Sequence, residues 1–147
     1  TVQLGFSDAG AHLRNMAFYN MPLRFLKRIR DAHDGGNQIL TLGAAVHRLT
    51  GELATWFGLD AGYLRRGDRA DLVIIDPAGL DDSVDAYHEA PAPFFGGLSR
   101  MVNRNDGAVD ATVIAGKVVF RNGTFIDGYG QTTASGRYLR STDAVPT

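Results

Sequence analysis

Gly5-Phe6-Ser7-Asp8-Ala9-Gly10-Ala11-His12 is the stretch on which the reading of this chain turns. It places a carboxylate in a Gly/Ala-rich turn directly after Val2, Leu4 and Phe6, which are apolar at every second position. That spacing predicts a strand carrying Asp8 at its C-terminal mouth. In parallel barrels this mouth is where the chemistry sits. The chain begins at Thr1 with nothing upstream to complete a barrel. The expectation is therefore a C-terminal piece of a larger enzyme.

Downstream, the pattern turns helical. Asn20 is a candidate N-cap, with Pro22 in the first turn. Leu23, Leu26 and Ile29 recur every third residue and Phe25 widens the stripe, while Arg24, Lys27, Arg28 and Arg30 take the other side. Gly35-Gly36 ends this helix. Thr41 is the expected N-cap of a second helix burying Leu42, Ala45, Val46 and Leu49 and stopping at Gly51. Glu52 to Phe57 forms a third, closed by Gly58.

Strands follow. Gly67-Asp68 is a turn, and the unbroken run Leu72-Val73-Ile74-Ile75 predicts a strand buried on both faces, with pairing ended by Pro77. Asp71 and Asp76 are expected to be solvated strand ends. Residues 78–107 contain Pro91, Pro93 and Gly96-Gly97 and are read as irregular, a stretch of a length that normally covers something. The remainder is a meander. Ala111 to Ala115 leads to a turn at Gly116-Lys117, then Val118 to Phe120 and an Asn122-Gly123 hairpin, with Phe125-Ile126 returning.

Taken in order, Gly5 to His12, Ala45 to Ala54, Phe57-Gly58-Leu59, Leu64 to Pro77, Val113 to Val119 and Gly136 to Arg140 resemble the C-terminal third of metal-dependent amidohydrolases. The branch most like it contains the N-acyl-D-amino-acid deacylases. The resemblance runs from about Leu4 to about Arg140 and rests on the succession of these words, each of which is weak alone. It implies an α+β fragment. Residues 1–62 would be the last strand and helices of a (β/α)8 barrel, and residues 63–147 part of a small β-sandwich assembled from both chain termini.

The same resemblance implies the chemistry. A bound divalent metal, zinc by expectation, lowers the pKa of a water and polarises the amide carbonyl. Asp8 matches the Asp at the end of the eighth barrel strand, which serves as general base and acid and often touches the metal. Its other reading is a turn residue bonded to its own backbone. His12 either lines the substrate pocket or orients Asp8; its alternative is a loop histidine. The family's paired upstream histidines have no counterpart in this chain, and His12, His33, His47 and His88 are scattered along it. One Asp does not build a metal site of three or more protein ligands. The 147 residues alone are thus expected to be inactive and to hold no zinc. Arg14 and Arg24 carry a fork suited to a substrate carboxylate. The stretch Leu13 to Arg24 departs from the His-Pro-Arg and Phe-Pro-Arg words of classical D-aminoacylases, which favours solvated-face arginines. His47, Tyr19 and Trp56 read as structural or packing residues.

Composition excludes several classes. A net charge of −1 and a pI near 6.4 leave no footprint for nucleic acid or an anionic membrane. Cysteine is absent, which rules out disulfides and thiolate ligands within the chain. No apolar run approaches the roughly 20 residues of a membrane span, and Thr1 does not open a signal peptide, so the expected compartment is cytoplasmic. Three functions stay open. They are cleavage of the C–N bond of an N-acyl amino acid or related amide, the same chemistry on a cyclic amide or a deaminated ring, and a non-catalytic β-rich interaction module. The expected partners are a small amide substrate and either the rest of a parent chain or a second copy.

Overall fold

The computed structural model describes residues 2–3, 20–91, 96–102, 105, 107–131 and 135–141, and of 100–102 the backbone alone. Helices α1 (Met21–Asp34), α2 (Leu42–Leu49) and α3 (Gly51–Phe57) come first. Strands β1 (Leu72–Ile75), β2 (His88–Pro91), β3 (Ser99–Val102), β4 (Val109–Ile114), β5 (Lys117–Arg121) and β6 (Thr124–Phe125) follow. The result is a small α+β arrangement. The strand expected to deliver Asp8 lies outside the described residues.

The helices start and stop where local chemistry dictates. At the end of α1, Gly36 adopts φ +75°. The amide of Asn37 then reaches the Ala32 carbonyl at 2.8 Å and that of Gly36 the His33 carbonyl at 3.0 Å. This is the paired pattern of a left-handed cap. At the start of α2, Thr41 Oγ1 accepts the Ala44 amide at 3.1 Å. Gly51 opens α3 instead of terminating α2, and Gly58 closes α3 at φ +65°. Two expectations about burial change. Within α2 the buried side is carried by Ala45, with Leu49 packed beside it, whereas Leu42 and Val46 are exposed. Trp56 is exposed too and meets Phe57 edge-on, at 4.6 Å between ring centroids.

One core cluster joins α1 to the segments that follow β1. Leu23, Leu26 and Ile29 pack with Ala45, Leu80, Val84 and Ala108, flanked by Ile75 and Val109. Val84 is fully enclosed, a contribution of about 1.5–3 kcal/mol. It gets there through structure inside the stretch read as irregular. Asp76 Oδ1 accepts the Ala78 amide at 2.9 Å and Asp81 Oδ1 the Ser83 amide at 2.8 Å. Each caps a single 3-10 turn, Pro77–Gly79 and Asp82–Val84. The same stretch also contains the two-stranded ladder β2–β3, His88 paired with Val102 and Pro91 with Ser99.

The four-stranded antiparallel sheet has the order β1-β4-β5-β6, and the three strands anticipated around Leu72, Val113 and Val118 share it. Both of its tight hairpins put two consecutive residues at positive φ: Asn122 (50°) and Gly123 (78°), and Ala115 (52°) and Gly116 (76°). The second turn is therefore Ala115-Gly116, one residue earlier than its sequence predicts, and Lys117 already belongs to β5. Asp71 helps to impose it, since Asp71 Oδ1 accepts the Ala115 amide at 2.6 Å while Oδ2 pairs with Arg69 Nε at 2.6 Å. Neither Asp71 nor Asp76 is a merely solvated strand end. A left-handed alanine costs about 1–2 kcal/mol relative to glycine, and asparagine tolerates this region better. Ala115→Asn, at an exposed site, is expected to raise stability by about 0.5–1 kcal/mol. Equilibrium urea unfolding with an unchanged slope checks this.

Candidate functional site

Asp8 and His12, the expected catalytic and substrate-contacting residues, lie outside the described residues, as does Arg14. What is described is how the chain is held on both sides of them. Before them, Arg48 of α2 donates from Nη2 to the Val2 carbonyl at 2.5 Å. After them, Asn20 is buried, and its Nδ2 donates to the Val84 carbonyl at 2.8 Å and to Asn105 Oδ1 at 3.1 Å. Asn20 caps α1 by position, with no side-chain bond to the helix. Its amide instead ties the helix entry to a residue 64 positions away.

The polar face of α1 is not a solvated row of arginines. Arg24 Nε donates to Asp85 Oδ1 at 2.8 Å, and the guanidinium lies 5.8 Å from the Tyr87 ring centroid. A guanidinium engaged in this way is not free to grip a substrate carboxylate. Lys27 Nζ lies 3.2 Å from Asp31, 3.0 Å from Asp82 and 3.2 Å from Asp85, and only 13% of its side chain is exposed. Hydrogen bonds to Asp82 and Asp85 hold its ammonium form far above the usual lysine range. No pattern in the sequence pairs Lys27 with Asp82, because the contact depends on the 3-10 turns that carry the aspartates back onto α1.

The pH dependence of this cluster has a definite sign. Hydrogen bonding to Arg24 first, then to Lys27, lowers the Asp85 carboxyl below its ordinary value, and Arg30 and then Lys27 do the same for Asp31. A depressed carboxyl stabilises the fold above its unfolded value of about 3.9. That contribution is lost as the pH falls through the folded value. Thermal midpoints measured from pH 7 to pH 2 are expected to fall less steeply below about pH 4 for Asp85→Asn than for the parent chain. Equal slopes would mean that Asp85 carries none of the acid sensitivity.

Two clefts border Asp60. The larger, about 420 Å³, is lined by Asp60 and Arg137 to Arg140. The smaller, about 30 Å³, lies between Asp60, Tyr63, Arg65 and Asp71. Most of the charges lining them are paired: Arg65 holds Asp68 at 3.0 Å, Arg69 holds Asp71 at 2.6 Å and Arg137 holds Asp60 at 3.2 Å. His33, His47 and His88 are exposed. His47 faces Tyr63 at 6.3 Å between ring centroids. Among the described residues no three His, Cys, Asp or Glu side chains converge to hold a metal ion. The described residues therefore do not fit a zinc site. No described helix is long and apolar enough to cross a membrane.

No protein-family description matches the chain, and no solved structure matches it. Uncharacterized proteins of Mycobacterium bovis and Mycobacterium tuberculosis are 63% identical over 145 residues, covering 96% of this chain and 24% of theirs. The chain thus spans about a quarter of the length of these relatives. An N-acyl-D-aspartate deacylase of Alcaligenes xylosoxydans xylosoxydans is 45% identical over 77 residues, 52% of this chain and 14% of that protein. About half of the chain is therefore related to a segment of a deacylase.

Proposed function

We propose that the chain is part of a hydrolase that cleaves the C–N bond of an N-acyl amino acid. The observation carrying this reading is the 45% identity over 77 residues to an N-acyl-D-aspartate deacylase, which agrees with the amidohydrolase-like order of motifs. The N-acyl-D-amino-acid class of substrate comes from that relative's name and from the branch the motifs resemble.

Amide hydrolysis at neutral pH needs a group that takes a proton from the attacking water and returns it to the leaving nitrogen. Asp8 is assigned that task, with His12 lining the substrate pocket beside it. A divalent metal, zinc by expectation, would supply water activation and carbonyl polarisation when bound. No set of ligands for it is found among the described residues. In this reading the bonds from Arg48 to Val2 and from Asn20 to Val84 fix the chain on either side of the Asp8 stretch.

The test is turnover. A protein carrying this segment at the length of the mycobacterial relatives should release free amino acid from N-acetyl-D-aspartate or a neutral N-acyl-D-amino acid. The 147 residues alone should not. Turnover only of hydantoins or dihydropyrimidines would move the assignment to cyclic amides, and absence of hydrolysis on all of these would refute it.

A further inference from the structure

Residues 135–141 run back along the connection from α3 to β1, in the opposite direction. At one end Arg69, shortly before β1, donates from Nη2 to the Ser135 carbonyl. Arg69 is itself held by Asp71 Oδ2 at 2.6 Å. Further along, Arg137 donates from Nη2 to the Asp60 carbonyl at 2.8 Å and to its carboxylate at 3.2 Å. At the far end Ser141 Oγ donates to the Phe57 carbonyl at 2.8 Å, and Ser141 bridges Leu59 in antiparallel fashion. Phe57 is the last residue of α3, so its carbonyl is one that the helix cannot satisfy internally. Ser141 supplies that bond from 84 positions away.

The two ends of this segment are held differently. Ser135 is buried, whereas residues 136–141 are all exposed. The core cluster around Leu26, Ile29 and Val84 contains no residue of 57–62 or of 135–141. Detaching Arg137 to Ser141 therefore breaks side-chain bonds and one bridge but leaves that core intact, the condition under which a segment opens by itself. We propose that residues 137–141 form a hinged strap, fixed at Ser135 and latched onto the end of α3, which opens while the core stays closed. The cleft of about 420 Å³ has Arg137 to Arg140 as one wall and Asp60 as the other, so it exists only while the strap is latched. Opening also frees the Phe57 carbonyl and lets the last turn of α3 fray. The proposal is independent of the catalytic assignment.

Hydrogen exchange tests it without any activity measurement. The amides of Gly58 and Leu59 bond back to the Thr55 and Ala54 carbonyls at 3.1 and 2.7 Å, so their exchange reports fraying at the end of α3. Leu59→Cys and Ser141→Cys are combined in the long protein, because antiparallel neighbours lie within reach of a disulfide. With the parent treated alike as control, oxidation should slow exchange at residues 58 and 59 at least about fivefold relative to the reduced form, leaving α1 around Ile29 unchanged. Equal exchange in the two forms would overturn the proposal, since the strap would then not open separately. So would failure of the disulfide to form in the native protein, or an equal slowing of α1, which would make the opening global. Arg137→Ala gives the opposite arm without any new cysteine. It should speed exchange at residues 58 and 59 by about threefold or more with α1 unaffected, and an unchanged rate there would equally sink the strap.

Discussion

Asp8→Asn is expected to lower kcat of the long protein by at least about 10²-fold while leaving its fold and substrate KM nearly unchanged. The amide of asparagine matches the carboxylate in size and keeps a hydrogen-bonding oxygen, but it cannot accept the proton of the attacking water. Nor can it return that proton to the leaving nitrogen. If Asp8 were only a turn residue bonded to its own backbone, asparagine would serve equally well, since both side chains favour such turns. Steady-state kinetics on an N-acyl-D-amino acid, with circular dichroism as a folding control, separates these cases. A variant with more than half of the parent kcat would remove Asp8 from the catalytic assignment and leave the rest of the reading standing.

Gly79→Ala is the most damaging single-methyl change expected in the described fold. Gly79 ends the 3-10 turn after β1, and its α-carbon lies against the backbone of Gly107 and Ala108. A β-carbon there would overlap the Gly107 carbonyl. The obstacle is main chain, so no side chain can rotate out of the way. The two strands on either side cannot part without breaking the bond from the Asp76 amide to the Ala108 carbonyl, 3.0 Å long. Ala108 is itself in the core cluster with Val84. Forcing extra volume into a packed site costs typically 1–3 kcal/mol, and a main-chain obstacle places this case at about 3 kcal/mol or above. A thermal midpoint lowered by roughly 8 °C or more is the expected readout. Gly43→Ala, where a methyl meets nothing, should leave the midpoint unchanged or slightly higher, because alanine is the better helix former.

What could be read from the sequence was what local chemistry decides. The Leu23, Leu26 and Ile29 stripe, the Thr41 cap, the Gly58 stop and the Asn122-Gly123 hairpin all depend on residues within one or two turns of each other. What could not be read depends on partners far along the chain. The neutralisation of Lys27 needs Asp82 and Asp85, which lie 55 and 58 positions further along, to fold back onto α1, and the enclosure of Val84 comes with them. The β2–β3 ladder was obscured by Pro91, which ends a short outer strand instead of preventing one. The exposure of Leu42, Val46 and Val73 arises differently: their apolarity reads as a demand for burial, and the described residues do not meet it. The candidate site was legible only as a motif, because Asp8 and His12 lie outside the described residues.

The chain has only two lysines, Lys27 and Lys117, and the carboxylates around Lys27 make them chemically unequal. An amine attacks an activated ester only after losing its proton, and the three aspartates keep Lys27 protonated well above the usual lysine range. Lys117 stands exposed at the start of β5. Within this segment, amine-directed reagents, whether a fluorophore, a surface linker or an acetylating agent, are thereby steered to the one exposed lysine side chain. The ion cluster that ties α1 to the 3-10 turns also gives this segment a nearly single, defined point of chemical attachment, on the hairpin where β5 begins.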